Sequence, residues 1–316
     1  MKMMNQNTVQ KIEFRPFSLA DKENYERYLF REEGRGCEFS FANFYLWGRQ
    51  SFCEVDGQIL LFSQFDRRSV YPYPLGENAP EAKKMAINAI IDDAHARGIS
   101  CRITGLSTKD RTMIEALYPN RFLFHCDEGS FDYVYDIDDL AELAGKKYHA
   151  KRNHLNRFRE AFPNAVARRI DDALAPAVRS FVKEWYETKL SENPNGDFRM
   201  EEIAIERALR DREALGLEGL TIMDGDRVLA MTIGSRLSND TFDIHFEKAI
   251  SDVQGAYGAI NCEFARYLRE KYPDIKYLDR EEDMGLEGLR KAKKSYYPHH
   301  MIEKCWAHLL EEGYEY

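Results

Sequence analysis

Residues 220–235 read Leu-Thr-Ile-Met-Asp-Gly-Asp-Arg-Val-Leu-Ala-Met-Thr-Ile-Gly-Ser. Two apolar runs flank Asp224-Gly225, and Asp-Gly between such runs is a strong signal for a β-hairpin. A third strand is expected at Thr241–Glu247, followed by a helix over residues 257–270 and a strand at Ile275–Leu278. The second half of the chain therefore predicts a mixed sheet flanked by helices.

The first half repeats this order of elements. Asp56-Gly57 joins two apolar runs and gives the same hairpin signal. A helix follows, in which Pro80 suits the first turn and Gly98 suits the C-cap. The repetition predicts an α+β protein with an N-terminal domain at residues 1–135 and a C-terminal domain at residues 136–316.

The composition is that of a globular protein. The chain has 316 residues, of which 44% are hydrophobic, which is enough for two cores. No stretch approaches the ~20 apolar residues of a membrane helix, and the first residues lack the apolar segment of a secretory signal. The six cysteines are scattered without a C-x-x-C pair, which argues against a zinc site. We expect a cytoplasmic protein and predict no metal site.

Positive charge is concentrated in two short segments of a chain whose net charge is −9. Residues 146–159 contain six basic and no acidic side chains, and residues 290–294 contain four basic side chains. The rest of the chain is strongly acidic. This distribution favours local recognition of an anion over a general nucleic-acid coat. We expect the two segments to meet across one cleft and to bind a phosphate-bearing donor.

The segment Gln254-Gly-Ala-Tyr-Gly-Ala259 lies between the third strand and the helix of the second half. This order of elements resembles the GNAT acyltransferase fold, in which the corresponding loop presents backbone N–H groups to a pyrophosphate at a helix N-terminus. The glycines here do not follow the usual Gln/Arg-x-x-Gly-x-Gly/Ala spacing, which argues against coenzyme A. Alternatively, Gly255 and Gly258 only permit a tight turn from strand to helix.

Three further segments carry a more specific resemblance. They are Lys151-Arg152-Asn153 with Phe158, the run from Gly255 to Asn261, and the closing block Glu282-Asp-Met-Gly-Leu-Glu-Gly-Leu-Arg-Lys-Ala-Lys-Lys-Ser-Tyr-Tyr-Pro298. Together they resemble the phosphatidylglycerol lysyltransferase C-terminal domain family, and the likeness extends over nearly the whole chain. The resemblance implies two tandem GNAT-like domains, each a mixed sheet flanked by helices, related to the Fem-type aminoacyl transferases.

The same resemblance implies a reaction. Characterised members of the family move an amino acid from aminoacyl-tRNA to a lipid head group. The membrane-spanning N-terminal portion of the full lipid synthases has no counterpart in these 316 residues, which leaves a lipid or small-molecule acceptor open. Aminoacyl-tRNA is therefore the expected donor and partner, and no cofactor is expected.

The acidic run Asp279-Arg-Glu-Glu-Asp283 follows a predicted strand end, where clefts of α/β sheets lie. A carboxylate there suits a base or a binding site for the α-ammonium of a donor. The alternative is a solvated acidic loop, and this interpretation is preferred for all of these acids except Asp283. Asp283 is the preferred catalytic residue, positioning or deprotonating the attacking group.

The helix after this loop carries further candidates. Arg290, Lys291 and Lys294 lie one turn apart, and they suit holding a phosphate or the oxyanion of acyl transfer. Lys293 is expected to be solvated. Tyr297 is a candidate for proton transfer, although packing at the helix end is the alternative. Lys291 and Tyr297 join Asp283 in the predicted catalytic set.

The basic segment at residues 146–160 predicts a helix with one unusual position. Leu155, Phe158 and Phe162 share one arc, and Lys151 falls inside it. A lysine on an apolar face needs a partner or a ligand, although snorkelling is the competing explanation. Arg152 is expected at the rim. The predicted substrate-binding residues of this segment are Lys147, Lys151, Arg152 and Asn153.

The remaining substrate-binding candidates lie on the third strand and the following helix. His245 alternates with Asp243 and Glu247, which suits a base supported by acids or, alternatively, only the wet face of a strand. The predicted set also contains Tyr257, Asn261, Arg290 and Lys294. No Ser/His/Asp or Cys/His nucleophile arrangement is predicted, which suits direct transfer.

These observations favour an acyl-group transferase that moves an aminoacyl group from aminoacyl-tRNA to an amine or a hydroxyl. One alternative is an N-acetyltransferase that uses acyl-coenzyme A. The other is a catalytically inactive module that binds tRNA or a protein partner. Only turnover separates the last alternative from the first.

Overall fold

A computed structural model describes residues 12–32, 34–65, 68–194 and 198–310. The chain divides into two compact units. Of the described residues, the first comprises those within 1–17, 49–125 and 305–316, and the second comprises those within 18–48 and 126–304. The expected domain boundary between residues 135 and 136 stays a prediction, because units defined by packing need not coincide with repeats of sequence.

Each unit contains one sheet and its helices. The strands are β1 Arg15–Pro16, β2 Gln50–Val55, β3 Gln58–Phe65, β4 Arg68–Pro72, β5 Leu75–Gly76, β6 Arg102–Leu106, β7 Phe122–Cys126, β8 Asp132–Asp136, β9 Val166–Arg169, β10 Glu218–Asp224, β11 Arg227–Arg236, β12 Thr241–Ala249, β13 Tyr277–Asp279, β14 His300–Ile302 and β15 Cys305–Leu309. The helices are α1 Lys22–Leu29, α2 Phe41–Trp47, α3 Pro80–Arg97, α4 Thr108–Leu117, α5 Ile137–Glu142, α6 His149–Ala161, α7 Ala175–Glu192, α8 Arg199–Arg210, α9 Arg212–Leu215, α10 Ala256–Lys271 and α11 Glu287–Lys294. The predicted α+β class, with two mixed sheets flanked by helices, is confirmed.

The sheet of the first unit has the order β1-β2-β3-β4-β6-β15-β7, with β5 paired to β3. Its hairpin turns at Asp56-Gly57, as predicted, and both residues have positive φ, 49° and 72°. Helix α3 starts with Pro80 and ends at Gly98, whose φ of 67° gives the left-handed C-cap. Strand β15 was not predicted, because it is short and its neighbours β6 and β7 are distant in sequence.

The sheet of the second unit has the order β14-β8-β13-β12-β11-β10-β9. Strand β8, at the end of the expected N-terminal domain, pairs with β13 and β14 here. The pairing between β12 and β13 is parallel and covers only Thr241–Asp243 against Tyr277–Asp279. Because β12 continues to Ala249 while β13 ends at Asp279, a gap opens beside the second half of β12.

Helices α5, α6 and α10 pack with this sheet in one core. Its buried aliphatic and aromatic side chains include Leu155, Phe158, Ile260 and Phe264. These are the apolar positions that helical periodicity predicts for α6 and α10. Among the helices that the structure describes, none combines the length and the apolar character that crossing a membrane requires.

Candidate functional site

The candidate site lies where β12 and β13 separate, at the carboxyl ends of two parallel strands. Ligands of α/β sheets bind at such ends. Glu247 extends from the part of β12 that pairs with β11 but not with β13, and Arg280 follows the last residue of β13. The two side chains pair at 2.7 Å between Arg280 Nη2 and Glu247 Oε1, and they are only 16% and 10% exposed. We call the residues around this pair, Lys151, Glu247, Asn261, Arg280 and Tyr296, the gap site.

Three of these residues had been predicted as substrate-binding residues. Lys151 Nζ lies 3.7 Å from the centre of the Tyr296 ring and 2.6 Å from Ser295 Oγ. The same ring has the Arg280 guanidinium 5.3 Å from its centre. On the other side, Asn261 Nδ2 lies 3.4 Å from Glu247 Oε2. Burial, with a smaller effect of the Arg280 charge, lowers the pKa of Lys151 to about 8.

Helix α6 and the closing block lie against each other at the gap site. Besides the Lys151 contacts, the Tyr148 hydroxyl donates to the Tyr296 carbonyl at 2.9 Å. The rings of Tyr148 and Tyr297 meet edge to face at 5.6 Å. Segments of the chain that carry the two concentrations of positive charge are therefore neighbours in the second unit. A lysine on an apolar helix face was expected to have a partner, and the partners of Lys151 are the Tyr296 ring and the Ser295 hydroxyl.

Other predicted binding residues of the basic segment point elsewhere. Arg152 donates to the carbonyl oxygens of Leu143 and Gly145, and so it binds the chain before α6 instead of lying free at the rim. Lys147 pairs with Asp139 at 2.8 Å and is 45% exposed. Asn153 is exposed. The structure does not bring these three side chains to the gap site.

Several other predicted site residues are exposed and also do not reach the gap site. Lys291 and Lys294 are exposed, and so are Tyr257 and Tyr297, at 44% and 49%. Lys293, which was expected to be solvated, is buried, and that expectation was wrong. Its ammonium donates to the carbonyl oxygens of Arg280 and Glu281, so it holds the loop that follows β13.

Asp283 is fully buried, and both of its carboxylate oxygens accept hydrogen bonds. Arg290 binds it through two nitrogens, Nε to Oδ2 at 2.7 Å and Nη2 to Oδ1 at 3.0 Å. The Tyr133 hydroxyl donates at 2.6 Å and the Gly285 amide at 2.8 Å. The hydrogen bonds from Arg290 make the largest contribution to holding the pKa of Asp283 well below its usual range. Such a carboxylate is a poor base, so the arrangement favours a role for Asp283 and Arg290 in holding the loop.

The acidic run is not a solvated loop, and this expectation was wrong for most of its members. Asp279 and Asp283 are fully buried, and Glu281 and Glu282 are half-buried. The residue Glu281 has a φ of 58°, a left-handed conformation that non-glycine residues rarely adopt. The run turns inward because β13 lies in the middle of the sheet, between β8 and β12.

His245 does not lie on a wet face of β12 either. Its side chain is completely buried, with Nε2 at 2.8 Å from Ser235 Oγ. Nδ1 lies 3.2 Å from Asp243 Oδ2 and 3.8 Å from Glu281 Oε1. Burial lowers the pKa of His245, but the two carboxylates outweigh it and raise the pKa to about 9. Burial raises the pKa of Glu281 to about 7, with a further contribution from Asp243.

A second buried ionic cluster surrounds Lys304 and was not predicted. Its ammonium lies 2.6 Å from Asp132 Oδ1, 3.0 Å from Glu38 Oε2 and 3.6 Å from Glu282 Oε2. Cys37 Sγ lies 3.3 Å from the same ammonium. Burial raises the pKa of Asp132 to about 8 although Lys304 opposes this. These residues are far apart in sequence, so no local pattern could have indicated them.

The glycine loop before α10 is explained by close packing. Gly255 has a φ of 88°, and a Cβ there would lie 2.7 Å from the His154 carbonyl oxygen and 3.0 Å from Phe158 Cβ. Helix α6 therefore packs directly against Gly255, the residue that precedes α10. This supports the structural explanation of Gly255 over a phosphate-binding one.

Comparisons with known proteins agree with this architecture. A conserved protein of unknown function from Bacteroides thetaiotaomicron is 34% identical, with a TM-score of 0.88 over 95% of this chain and 100% of that one. L-PGS from Bacillus licheniformis matches with a TM-score of 0.66 at 15% identity, over 92% of each chain. FemX matches with a TM-score of 0.59 at 12% identity, over 95% of this chain and 98% of that one. A tandem GNAT protein from the clavulanic acid biosynthesis pathway matches with a TM-score of 0.50 at 10% identity, over 95% of this chain and 99% of that one.

In the second unit the parallel strands β12 and β13 separate from each other. Together with these structural likenesses, this feature defines a tandem GNAT-like protein. Residues 31–308 match the family described as phosphatidylglycerol lysyltransferase, C-terminal, and the chain belongs to that family. The match to an uncharacterised protein of Mycoplasmoides gallisepticum, at 24% identity over 178 residues, spans 56% of each chain.

Proposed function

We propose that this protein transfers an aminoacyl group from aminoacyl-tRNA to an amine or hydroxyl acceptor, with the chemistry at the gap site. The observation that carries the proposal is the position of Lys151, half-buried against Tyr296 beside the Arg280–Glu247 pair. Membership of a family described as a lysyltransferase supports the class of reaction. The fold shared with L-PGS and FemX supports the same class.

Each charged group of the gap site has a task in this reaction. The acceptor nitrogen or oxygen attacks the ester carbonyl of the donor, its new bond to carbon forms, and the bond to the ribose oxygen breaks. A group with a pKa near 8 is suited to take the proton from the acceptor and return it to the leaving ribose hydroxyl. Arg280 is placed to stabilise the oxyanion, and Glu247 to bind the α-ammonium of the donor.

The proposal favours an aminoacyl donor over acyl-coenzyme A for a specific reason. An aminoacyl group carries an ammonium that an acetyl group lacks, and Glu247 supplies a nearly buried carboxylate for it. Gly255 packs against the His154 carbonyl and Phe158, and its loop lacks the glycine spacing typical of pyrophosphate binding. Both features disfavour the acetyltransferase alternative.

The test is incubation of the protein with radiolabelled aminoacyl-tRNA pools and a cell extract, followed by separation of labelled products. We expect transfer of label from at least one pool. Lys151→Gln and Arg280→Gln should each lower the rate by about 100-fold or more, the size of loss typical for a proton-transfer or oxyanion group.

Lys183→Gln is the matched control, since Lys183 is a surface lysine of the same unit that is 72% exposed. It should transfer label at the native rate. Failure of every aminoacyl-tRNA pool to donate, with native structure retained, would contradict the proposed function. It would favour the inactive binding module instead.

A further inference from the structure

Asp243, His245 and Glu281 form a buried group whose polar atoms converge on one point. One atom of each residue, an imidazole nitrogen or a carboxylate oxygen, lies within 4.8 Å of those of the other two. The side chains of Asp243 and His245 are completely buried. Among the described residues, neither oxygen of Asp243 and not the Nδ1 of His245 makes a hydrogen bond of good geometry. Their contact with each other, 3.2 Å between Nδ1 and Asp243 Oδ2, is an ion pair when the imidazole is protonated. Buried polar atoms without a good hydrogen bond are costly and require an explanation.

The other nitrogen of His245 determines what Nδ1 can do. Nε2 lies 2.8 Å from Ser235 Oγ, and Ser235 is itself buried. When Nε2–H donates to that hydroxyl, the Nδ1 lone pair is left facing Asp243 and Glu281. A hydrogen bond from the distal nitrogen is the arrangement that orients metal-binding histidines.

The spacing of the three atoms suits a metal ion. Nδ1 lies 3.2 Å from Asp243 Oδ2 and 3.8 Å from Glu281 Oε1. With ligands roughly 2.1 Å from a common ion, the two separations that involve Nδ1 correspond to ligand–metal–ligand angles of about 100° and about 130°. Asn43 Nδ2 donates to Glu281 Oε1 at 3.3 Å and orients it.

Two further features distinguish this group from an ordinary acidic cluster. Glu281 holds its left-handed φ of 58°, and backbone strain of this kind is concentrated at ligand sites. Asp279, the partner of Asp243 in the β12–β13 pairing, is fully buried and has an oxygen without a hydrogen-bond partner in the described chain. Asp243 is paired with His245, and among the described residues no lysine or arginine pairs with it.

The neighbouring Lys304 cluster provides the contrast. Its acids, Glu38, Asp132 and Glu282, surround a lysine ammonium that lies within 3.6 Å of all three. That cluster contains its own cation. In the group of Asp243 the positive charge is that of the protonated His245, which pairs with Asp243 in the metal-free chain, and a bound metal ion would replace that proton.

We propose that Asp243, His245 and Glu281 bind one divalent first-row transition metal ion, with Ser235 and Asn43 orienting the ligands. One imidazole with two carboxylates suits Zn²⁺, Mn²⁺ or Fe²⁺ better than Mg²⁺ or Ca²⁺, which prefer oxygen ligands alone. The complete burial of the Asp243 and His245 side chains, with Glu281 28% exposed beside them, favours an ion that stays bound over a substrate group that must enter and leave. The proposal does not rest on the transferase reaction, and its test needs no turnover.

The experiment uses the full chain without a histidine tag, stripped with chelator and titrated with Zn²⁺, and with Co²⁺ as a spectroscopic probe. Elemental analysis should give one ion per chain after gel filtration, and Zn²⁺ should raise the melting temperature. Asp243→Asn and Glu281→Gln should lower Zn²⁺ affinity by at least about 100-fold. Ser235→Ala should lower it by about 10–100-fold, the usual effect of an orienting partner.

Two control variants make the result specific. Glu282→Gln changes a carboxylate of the same loop and should bind Zn²⁺ as the native chain does. The exposed pair His299 and His300, whose Nδ1 atoms lie 2.9 Å apart, is a place for adventitious metal, so His299→Ala with His300→Ala should also keep the bound ion.

Three outcomes would overturn the proposal. The first is a native chain that binds no Zn²⁺ or Co²⁺ and shows no change in melting temperature. The second is loss of binding in the His299/His300 variant alone. The third is an unchanged Zn²⁺ affinity in both Asp243→Asn and Glu281→Gln. If Asp243→Asn fails to fold, the Co²⁺ spectrum of the native chain still decides whether nitrogen and oxygen ligands bind it.

Discussion

Arg290 and Asp283 form a two-pronged ion pair in which each carboxylate oxygen accepts from a different guanidinium nitrogen, at 2.7 and 3.0 Å. The pair connects the first turns of α11 to the loop after β13, and the Tyr133 hydroxyl completes it at 2.6 Å. Parallel double hydrogen bonds of this kind fix geometry as well as charge. The pair therefore determines the position of the loop from which Arg280 enters the gap site.

Replacing Asp283 should destabilise the protein in a pH-dependent way. The folded pKa of Asp283 is lowered, so its contribution is present above the unfolded value of about 3.9 and is lost as the pH falls below it. We expect Asp283→Asn to lower the free energy of unfolding by about 2–3 kcal/mol at pH 7. Urea unfolding at pH 7 and pH 3 measures this, and the difference from the native chain should shrink at pH 3.

Asp274→Asn is the control for this prediction. Asp274 also contacts an arginine, Arg236, through both oxygens, but its side chain is 60% exposed. Exposed pairs contribute little, so this variant should unfold like the native chain. An equal loss in both variants would contradict the role given to Asp283.

The transfer rate should depend on the protonation of Lys151. Its pKa is lowered to about 8, so the neutral amine that accepts a proton becomes the main form above that pH. Single-turnover transfer, corrected for spontaneous ester hydrolysis, should rise as the pH passes through about 8 and then level off. Lys151→Arg keeps the charge near Tyr296 but stays protonated, so it should be inactive throughout. An active Lys151→Arg variant would exclude Lys151 as the base.

Gly255 should be intolerant of a side chain for structural reasons. Its φ of 88° is strained for any other residue, and a Cβ would meet the His154 carbonyl oxygen at 2.7 Å. We expect Gly255→Ala to lower the free energy of unfolding by about 1–3 kcal/mol. Gly288→Ala is the matched control, since a Cβ there meets nothing within 4 Å in helix α11. It should stabilise the protein by about 0.4–1 kcal/mol.

Coenzyme A and acetyl-coenzyme A should bind poorly. The loop Gln254–Ala259 lacks the usual glycine spacing, and Gly255 is packed closely against α6. Isothermal calorimetry should give no affinity tighter than about 1 mM, or about −4 kcal/mol. Micromolar binding, about −8 kcal/mol, would promote the acetyltransferase alternative.

The exposed lysines of α11 should contribute to tRNA binding mainly through charge. Lys291 and Lys294 are exposed, whereas Arg290 is engaged by Asp283. Lys291→Gln with Lys294→Gln should weaken tRNA binding without changing the melting temperature. It should reduce the slope of log affinity against log salt by about 0.7–0.9 for each charge removed. An unchanged slope, measured by filter binding from 50 to 200 mM salt, would make these lysines ordinary surface residues.

The predictable parts of the fold are those that local chemistry determines. The Asp-Gly hairpins and the ends of α3 depend on residues within a few positions of each other, and all were predicted. Strands β14 and β15 were missed because they are short and pair with strands far away in sequence. Pairing between short strands that are distant in sequence produces no hydrophobic periodicity from which the strands could be predicted.

The site residues, too, were predictable only where local sequence determines their environment. Lys151 was predicted because its neighbours Leu155 and Phe158 define a helical arc around it. The burial of Asp279, His245 and Lys293 was not predicted, because it depends on β13 lying between β8 and β12. Alternating polar residues on a strand look alike whether that face meets water or another layer of the protein.

The insertion of β15 between β6 and β7 has a consequence for biosynthesis. Strands β6 and β7 leave the ribosome early, but their shared neighbour, Cys305–Leu309, follows about 180 residues later. At the usual rate of translation this delay is on the order of ten to forty seconds. During that time the nascent sheet exposes two unpaired edges, which are sites for misassociation. The protein is therefore expected to depend on chaperones during synthesis more than its finished stability indicates, and to refold from denaturant faster than it matures on the ribosome.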